Sequence, residues 1–148
     1  MNSKKIKLSP RLKAIVEALP LYPGIRVLEI GCGPGVVARA LANRIGDGYI
    51  LAIDLSSTAI QQATKSAQEE IASGRLSFRQ IAVENLALNS GEPLYDMAFA
   101  VRVGGLDGRH PEVAQLALPR IAKALTKSGR LFIDGGTPLQ EIPLDSYR

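Results

Sequence analysis

Short apolar runs and helical apolar stripes alternate along this chain, and their spacing predicts its secondary structure. Apolar, β-rich runs bounded by turn residues predict strands, whereas apolar residues that recur at i, i+3 and i+4 predict helices. Strands are predicted at residues 26–30, 49–53, 76–82, 97–103 and 130–134, and helices near Pro10, Val36, Ser57 and Pro111. This alternation predicts an α/β fold of three layers, in which a doubly wound, mainly parallel sheet is covered by helices on both faces.

Two of the predicted helices contain residues that affect their continuity. Ser56 or Ser57 supplies the N-cap of the helix after the second strand, and its apolar stripe continues until Gly74 ends it. The helix at residues 111–127 contains Pro119, which removes one backbone hydrogen bond. We therefore expect one unbroken helix after the second strand and a kinked or divided helix after the fourth.

The composition is that of one ordinary globular domain. The chain has 148 residues, of which 46% are hydrophobic and 22% charged, which suits a single core. We expect one domain over residues 1–148, with a basic arm and helix at 1–20 and a tail at 137–148. No apolar run approaches the roughly 18 residues of a membrane span, and no secretory leader is visible. The single cysteine, Cys32, cannot form an internal disulfide, so we expect a cytoplasmic protein.

The net charge of +4 is concentrated at the N-terminus. Five basic residues precede the first acidic one, and the remaining basic residues nearly balance the 14 acidic ones. These five are Lys4, Lys5, Lys7, Arg11 and Lys13. A basic arm can bind nucleic acid, but charges at a chain end are commonly solvated, and no aromatic residues are interleaved to stack on bases. Nucleic-acid binding is therefore disfavoured, although the sequence leaves it open.

The residues most suggestive of function lie at positions 29–35, with the sequence EIGCGPG. The three glycines fall between a predicted strand and a predicted helix. Without a Cβ, a glycine lets a ligand approach the main chain, and the helix N-terminus adds unpaired N–H groups. Asp54 ends the next strand, where a mononucleotide-binding unit presents a carboxylate to ribose hydroxyls, although it could instead cap the following helix. Together these features predict a nucleotide site.

The glycine spacing discriminates between nucleotide cofactors. A dinucleotide-binding G-x-G-x-x-G motif would place its third glycine at position 36, where this chain has Val36. A nicotinamide-dependent (NAD) oxidoreductase is therefore a less favoured alternative. The stretch Glu29-Ile30-Gly31-Cys32-Gly33-Pro34-Gly35 instead resembles the first motif of class I S-adenosylmethionine-dependent methyltransferases, and the resemblance covers roughly residues 19–136.

This resemblance implies a Rossmann-like sheet with the strand order 3-2-1-4-5, lacking the family's usual last two strands. It also implies S-adenosylmethionine as the cofactor and S-adenosylhomocysteine as its product. The cofactor-binding residues that it implies are Glu29, Gly31, Cys32, Gly33, Gly35, Asp54, Leu55, Ala82, Val83 and Arg102.

Each part of the implied site contacts a different part of the cofactor. The glycines lie against the amino-acid arm, and Glu29 faces its ammonium group. Asp54 accepts hydrogen bonds from both ribose hydroxyls, and Leu55 flanks the adenine. Val83 supplies a main-chain donor to the adenine ring, whereas Ala82 stands where the family often has an acid for the adenine amino group.

The implied reaction is an in-line displacement at the sulfonium methyl group, in which the enzyme mostly supplies alignment and a base is optional. The catalytic residues stay unidentified. His110 could deprotonate a hydroxyl and Arg102 could bind an anionic substrate group, but a surface position or a structural salt bridge explains each equally well. Cys32 has no partner histidine nearby in the sequence, so we interpret it as a small residue that fits the turn. We expect no metal site.

The expected substrate is a small molecule. Enzymes of this family that methylate amino groups of nucleic acids carry an Asn/Asp-Pro-Pro-aromatic run after the fourth strand, where this chain has VRVG at residues 101–104. A chain that ends soon after its fifth strand leaves an edge bare, so either residues 138–147 fold back over residues 131–133 or a second chain covers it. We hypothesise a homodimer or a partner subunit at that edge. The alternative function is a cofactor-binding subunit, or a non-catalytic binder, that needs another chain.

Overall fold

The computed structural model describes residues 6–148 and contains one six-stranded sheet. Its strands are Arg26–Ile30 (β1), Tyr49–Asp54 (β2), Leu76–Gln80 (β3), Tyr95–Ala100 (β4), Leu125–Asp134 (β5) and Leu139–Ile142 (β6). Its helices are Pro10–Ala18 (α1), Val36–Ala42 (α2), Ser57–Ser66 (α3), Gln68–Ala72 (α4) and Pro111–Ala124 (α5), with 3-10 turns at Val83–Asn85 and Asp145–Tyr147. Lys4 and Lys5 of the predicted basic arm lie outside the described residues.

The sheet has an apolar cluster on each face. One cluster contains Leu28 and Leu51 and is covered by α5 and the first 3-10 turn. The other contains Val27 and Ile50 and is covered by α1, α2 and α3. All four side chains are fully buried, which explains why the central strands are apolar at nearly every position rather than at alternate ones. With both faces covered, a ligand can reach the sheet at the ends of its strands.

The strand order is β3-β2-β1-β4-β5-β6. The predicted order 3-2-1-4-5 is confirmed for the five parallel strands, but the expected absence of any later strand is corrected, because β6 pairs antiparallel with β5. The pairing runs from Leu131 opposite Ile142 to Asp134 opposite Leu139, so of the two alternatives for this edge the structure shows the one in which the tail folds back over residues 131–133. The tail therefore occupies the edge of β5 at which we expected a second chain.

The bounds of β4 and β5 differ from the predicted ones. β4 covers Tyr95–Ala100 rather than 97–103, because Arg102 has φ 59°, in the left-handed region, and an extended strand cannot continue through it. β5 already begins at Leu125 rather than at residue 130, and its pairing with β4 has an irregular register after Tyr95.

Two helix predictions are corrected as well. α5 runs from Pro111 to Ala124 without a break at Pro119, so the alternative of a divided helix is wrong. The carbonyl that loses its partner belongs to Gln115, an exposed residue, where water can replace the missing N–H. The helix predicted after β2 is divided at Ala67, with φ −108° and ψ 28°, into α3 and α4. Of Ser56 and Ser57, the two predicted N-caps, it is Ser56 that caps α3 with its hydroxyl. Between residues 6 and 148, no helix is both long and apolar enough to cross a membrane.

Candidate functional site

A cavity of about 310 Å³ lies at the carboxyl ends of β1, β2 and β4. Ligands of doubly wound sheets bind at this edge, and the volume is at the lower end of the range for small-molecule sites. Of the ten predicted cofactor-binding residues, six line the cavity: Gly31, Asp54, Leu55, Ala82, Val83 and Arg102. The other lining residues are Ile30, Ile53, Ile81, Glu84, Val103, Gly105 and Val113.

Several of these lining residues were not predicted. Ile81 and Glu84 follow β3, Val103 and Gly105 follow β4, and Val113 lies in the first turn of α5. All four lie within or up to two residues past the carboxyl ends of the strands predicted at 76–82 and 97–103, and those ends meet at one edge of the sheet. No pattern in the sequence marks Val113, whose position depends on how α5 packs.

The glycine loop, residues 31–35, is bonded to the end of β2 by its own main chain. The N–H groups of Gly31 and Cys32 each donate to the carbonyl of Ile53 at 2.9 Å, and the N–H of Gly33 donates to Oδ2 of Asp54 at 2.8 Å. These three donors of the loop are therefore paired within the protein, whereas the expectation of unpaired donors concerned the N-terminus of α2. The loop offers a ligand an open stretch of main chain at Gly33.

The three glycines differ in what surrounds the place of the missing side chain. A Cβ added at Gly33 would meet nothing within 4 Å, whereas one at Gly31 would lie 2.6 Å from Cγ2 of Val103 and one at Gly35 2.9 Å from Cζ of Phe78. Gly35 therefore allows close packing of α2 against β3, and Val103 rests on Gly31. Gly33 has open space beside its main chain, although Gly31 is the glycine that lines the cavity.

Glu29 is a buried carboxyl without a partner. Its side chain belongs to a residue that is 4% exposed, and its Oε1 has no hydrogen bond to any residue from 6 to 148. Burial, and secondly the negative charge of Asp54, raise the pKa of this carboxyl from 4.5 to about 8. Glu29 does not line the cavity, but it immediately precedes Ile30 and Gly31, which do. A buried acceptor left unsatisfied is destabilising, and at a strand end it is available to a cationic donor.

Asp54 joins the glycine loop to the start of α3. Its Oδ2 accepts from Gly33, and its Oδ1 accepts from the N–H of Ser56 at 2.9 Å. The sequence left open that Asp54 caps the following helix. Asp54 does contact the start of α3, but through the N–H of Ser56, and Ser56 is itself the N-cap. A carboxylate offers about four lone-pair sites, so roughly two remain for the hydroxyls of a ligand in the cavity.

The three residues considered for chemistry lie in different environments. Burial, followed by two neighbouring carboxylates, raises the pKa of the Cys32 thiol, so that it stays protonated and is a poor nucleophile. The His110 side chain is 60% exposed, lies 3.8 Å from the Glu112 carboxylate and is not part of the cavity wall. Arg102 does line the cavity, and its guanidinium forms no salt bridge within the part of the chain that the structure describes.

Curated proteins with similar sequences are methyltransferases. The ubiquinone biosynthesis O-methyltransferase of Alkalilimnicola ehrlichii is 38% identical over 87 residues, which covers 58% of this chain and 33% of that protein. An O-methyltransferase of Pyrenophora dematioidea is 30% identical over 129 residues, which covers 84% of this chain and 46% of that protein. This chain thus spans about a third to a half of the length of these relatives.

Solved structures show the same fold. A methyltransferase from Geobacter sulfurreducens in complex with S-adenosylhomocysteine superposes with a TM-score of 0.65 at 24% identity, over 85% of this chain and 48% of that one. The [4+2]-cyclase SpnF superposes with a TM-score of 0.66 at 26% identity, over 82% of this chain and 43% of that one. A family model described as "Methyltransferase domain" matches residues 27–129, well over half of the chain. This chain therefore belongs to the methyltransferase domain family, as the resemblance of residues 29–35 predicted.

Proposed function

We propose that this chain catalyses methyl transfer from S-adenosylmethionine to a small-molecule acceptor. The observation that carries the proposal is a cavity lined by Gly31 and Asp54, with the open main chain of Gly33 bonded to Asp54 and the buried carboxyl of Glu29 near the end of β1. Acidic strand ends around an uncovered glycine suit a ligand that combines an ammonium group with ribose hydroxyls. The similar curated proteins are named O-methyltransferases, which supports a hydroxyl oxygen as the methylated atom.

The residues present fit this cofactor. The unpartnered oxygen of Glu29 would accept from the ammonium group, and the remaining lone pairs of Asp54 would accept from the ribose hydroxyls. Leu55 and Val83 line the part of the cavity where the adenine would lie, and Ala82 offers no side-chain acceptor for its amino group. When bound, the cofactor supplies a methyl group already activated on a sulfonium centre.

The chain's own contribution to the reaction is binding, alignment and exclusion of water. The lining residues that carry charge are Asp54, Glu84 and Arg102, and apolar residues such as Val103 and Val113 form the rest of the wall. Displacement at a sulfonium centre releases a neutral group, so the leaving group needs no acid. Alignment of two reactants can lower a barrier by on the order of 7 kcal/mol or more, which leaves a base optional.

Isothermal titration with S-adenosylhomocysteine tests the site. We expect the wild-type chain to bind it and Asp54→Ala to weaken binding by about tenfold to a hundredfold, because hydrogen bonds to a charged acceptor are lost. Asp145→Ala is the matched control, since it removes a fully exposed carboxylate in the C-terminal 3-10 turn. Equal binding by wild type and Asp54→Ala would contradict the site, and binding of NADH instead would favour the oxidoreductase.

Transfer is tested separately from binding. The chain is incubated with methyl-labelled S-adenosylmethionine and a panel of small phenols, with the O-methyl ethers of the same phenols as controls. We expect label on phenols but not on their ethers. Binding of S-adenosylhomocysteine without transfer to any acceptor would favour the alternative of a cofactor-binding subunit that needs another chain.

The proposal extends to organisation, assembly and location. Residues 1–148 are proposed to form one domain, and the single cysteine supports a cytoplasmic location. A homodimer or partner subunit would now have to pair with β6, which has four residues and is flanked by Pro138 and Pro143. Prolines beside an edge strand oppose further pairing. Sedimentation velocity decides this point, because a monomer at high concentration would reject the homodimer.

A further inference from the structure

Asp134 ends β5 and contacts two segments that are distant in the sequence. Its Oδ1 accepts from the main-chain N–H of Arg102 at 2.9 Å, just past β4. Its Oδ2 accepts from the guanidinium of Arg11, on α1, at 2.5 Å. The Asp134 carboxylate is 14% exposed, whereas the Arg11 side chain is 42% exposed, so the better-buried partner of this ion pair is the carboxylate. One side chain thus joins α1, β5 and the segment after β4.

The segment after β4 contains a residue in an unfavourable main-chain conformation, which contacts with other residues must stabilise. Arg102 has φ 59°, which L side chains rarely adopt unless their surroundings determine it. Asp134 holds the N–H of this residue, and Nη2 of Arg109 donates to its carbonyl at 3.4 Å. Both main-chain polar groups of the strained residue are therefore bonded to side chains.

The held segment is one wall of the cavity. Arg102, Val103 and Gly105 all line it, and Val103 lies against Gly31 of the glycine loop. A change in the main chain at Arg102 would therefore move the side chain that rests on the glycine loop. Asp134 itself is not among the residues that line this cavity.

We propose that Asp134 is a positioning residue for cofactor binding, because its bond to the main chain of Arg102 sets the wall that residues 102–105 contribute to the cavity. Its second bond, to Arg11, fixes α1 at the same edge of the sheet. The identity of the ligand rests on the proposed function, whereas the effect of the Asp134 hydrogen bond on the main chain of Arg102 does not.

Amide hydrogen exchange at Arg102 tests this hold without any ligand. Asp134→Ala removes the acceptor, whereas Asp134→Asn keeps a side-chain oxygen and removes the charge. We expect the Arg102 amide to exchange about tenfold faster in Asp134→Ala and within about threefold of wild type in Asp134→Asn. Unchanged exchange in Asp134→Ala would overturn the proposal. If that variant does not fold, Asp134→Ser replaces it with the same expectation.

The control is Glu141→Ala. Glu141 pairs with Arg130 at 2.7 Å on the same two strands, β5 and β6, but does not touch the cavity. We expect this variant to leave the exchange of the Arg102 amide and the affinity for S-adenosylhomocysteine unchanged. An equal effect of Glu141→Ala and Asp134→Ala would mean general loosening of the β5–β6 pair, which would overturn a specific role.

Affinity for S-adenosylhomocysteine shows whether the hold on Arg102 matters for binding. We expect Asp134→Ala to weaken binding by roughly tenfold, as for the loss of one hydrogen bond. The loss of affinity caused by Asp134→Ala should be smaller when residue 102 is glycine (Arg102→Gly) than when it is alanine (Arg102→Ala). Glycine adopts a positive φ without the hydrogen bond to Asp134. The same loss in both backgrounds would overturn the proposal. If the wild type does not bind S-adenosylhomocysteine, the proposed function fails, and hydrogen exchange alone decides the role of Asp134.

Discussion

The pH dependence of stability in Glu29→Gln tests the electrostatics of the site. The Glu29 carboxyl has a pKa of 4.5 when unfolded and about 8 in the folded protein. Because the folded pKa is raised, ionisation favours the unfolded chain, and stability is lost as the pH rises from 4.5 to 8. At about 1.36 kcal/mol per pKa unit, this loss is about 2 kcal/mol at pH 6 and reaches about 5 kcal/mol above pH 8.

Urea unfolding of wild type and Glu29→Gln at pH 6 and pH 9, without ligand, measures this contribution. Glutamine cannot ionise, so the variant lacks the loss that wild type suffers between these two pH values. We expect the stability of Glu29→Gln relative to wild type to increase by about 3 kcal/mol from pH 6 to pH 9, whatever the difference at pH 6.

Glu70→Gln is the matched control. Glu70 is equally buried at 4% exposure, but it accepts from Arg39 at 3.2 Å and from Asn43 at 3.1 Å. Although burial raises its pKa, these hydrogen bonds outweigh burial and lower it. Glu70→Gln should therefore destabilise the protein by a similar amount at both pH values. If Glu29→Gln gives the same flat difference, Glu29 is not a protonated carboxyl without a partner, and its assignment to a cationic ligand loses its physical basis.

Further predictions concern the glycine loop and the ligand. Gly35→Ala should lower the free energy of unfolding by about 2 kcal/mol or more in urea titrations, because its Cβ would lie 2.9 Å from Phe78 and its φ is 88°. Gly33→Ala, at φ 53° in open space, should lose only about 1–2 kcal/mol of stability yet weaken S-adenosylhomocysteine binding, and an unchanged affinity would argue against contact there. Affinity for S-adenosylhomocysteine should rise between pH 6 and pH 8, by up to about tenfold per unit, as binding releases the Glu29 proton. Calorimetry in buffers of different ionisation enthalpy counts that proton, and Glu29→Gln should release none.

Several features were predictable because they depend on a few neighbouring residues. Ser9 and Ser56 cap α1 and α3 with their hydroxyls, as helix-start signals predict. The glycine loop connects β1 to α2, and Asp54 ends β2 at the same edge of the sheet. The parallel α/β class followed from the alternation of strands and helices, whereas the strand order followed from the resemblance of residues 29–35 to a known family.

Other features depended on segments that meet only in the folded protein. Arg102, in its left-handed conformation, is bonded to Asp134 from β5, and the wall formed by Val113 depends on how α5 packs against the sheet. α5 accommodates Pro119 at a place where Gln115, the residue whose carbonyl loses its partner, is exposed, and the local sequence does not specify that exposure.

The amino-acid sequence by itself determined the number and order along the chain of the five parallel strands, the caps of α1 and α3 and the position of the glycine loop, because backbone preferences act over a few residues. Tertiary structure decided the pKa of Glu29, the role of each glycine and the pairing of β6. These properties arise from burial and from contacts between distant segments. A carboxylate in a strand is the same residue whether solvated or buried, and only the packing around it decides whether it holds a proton at neutral pH.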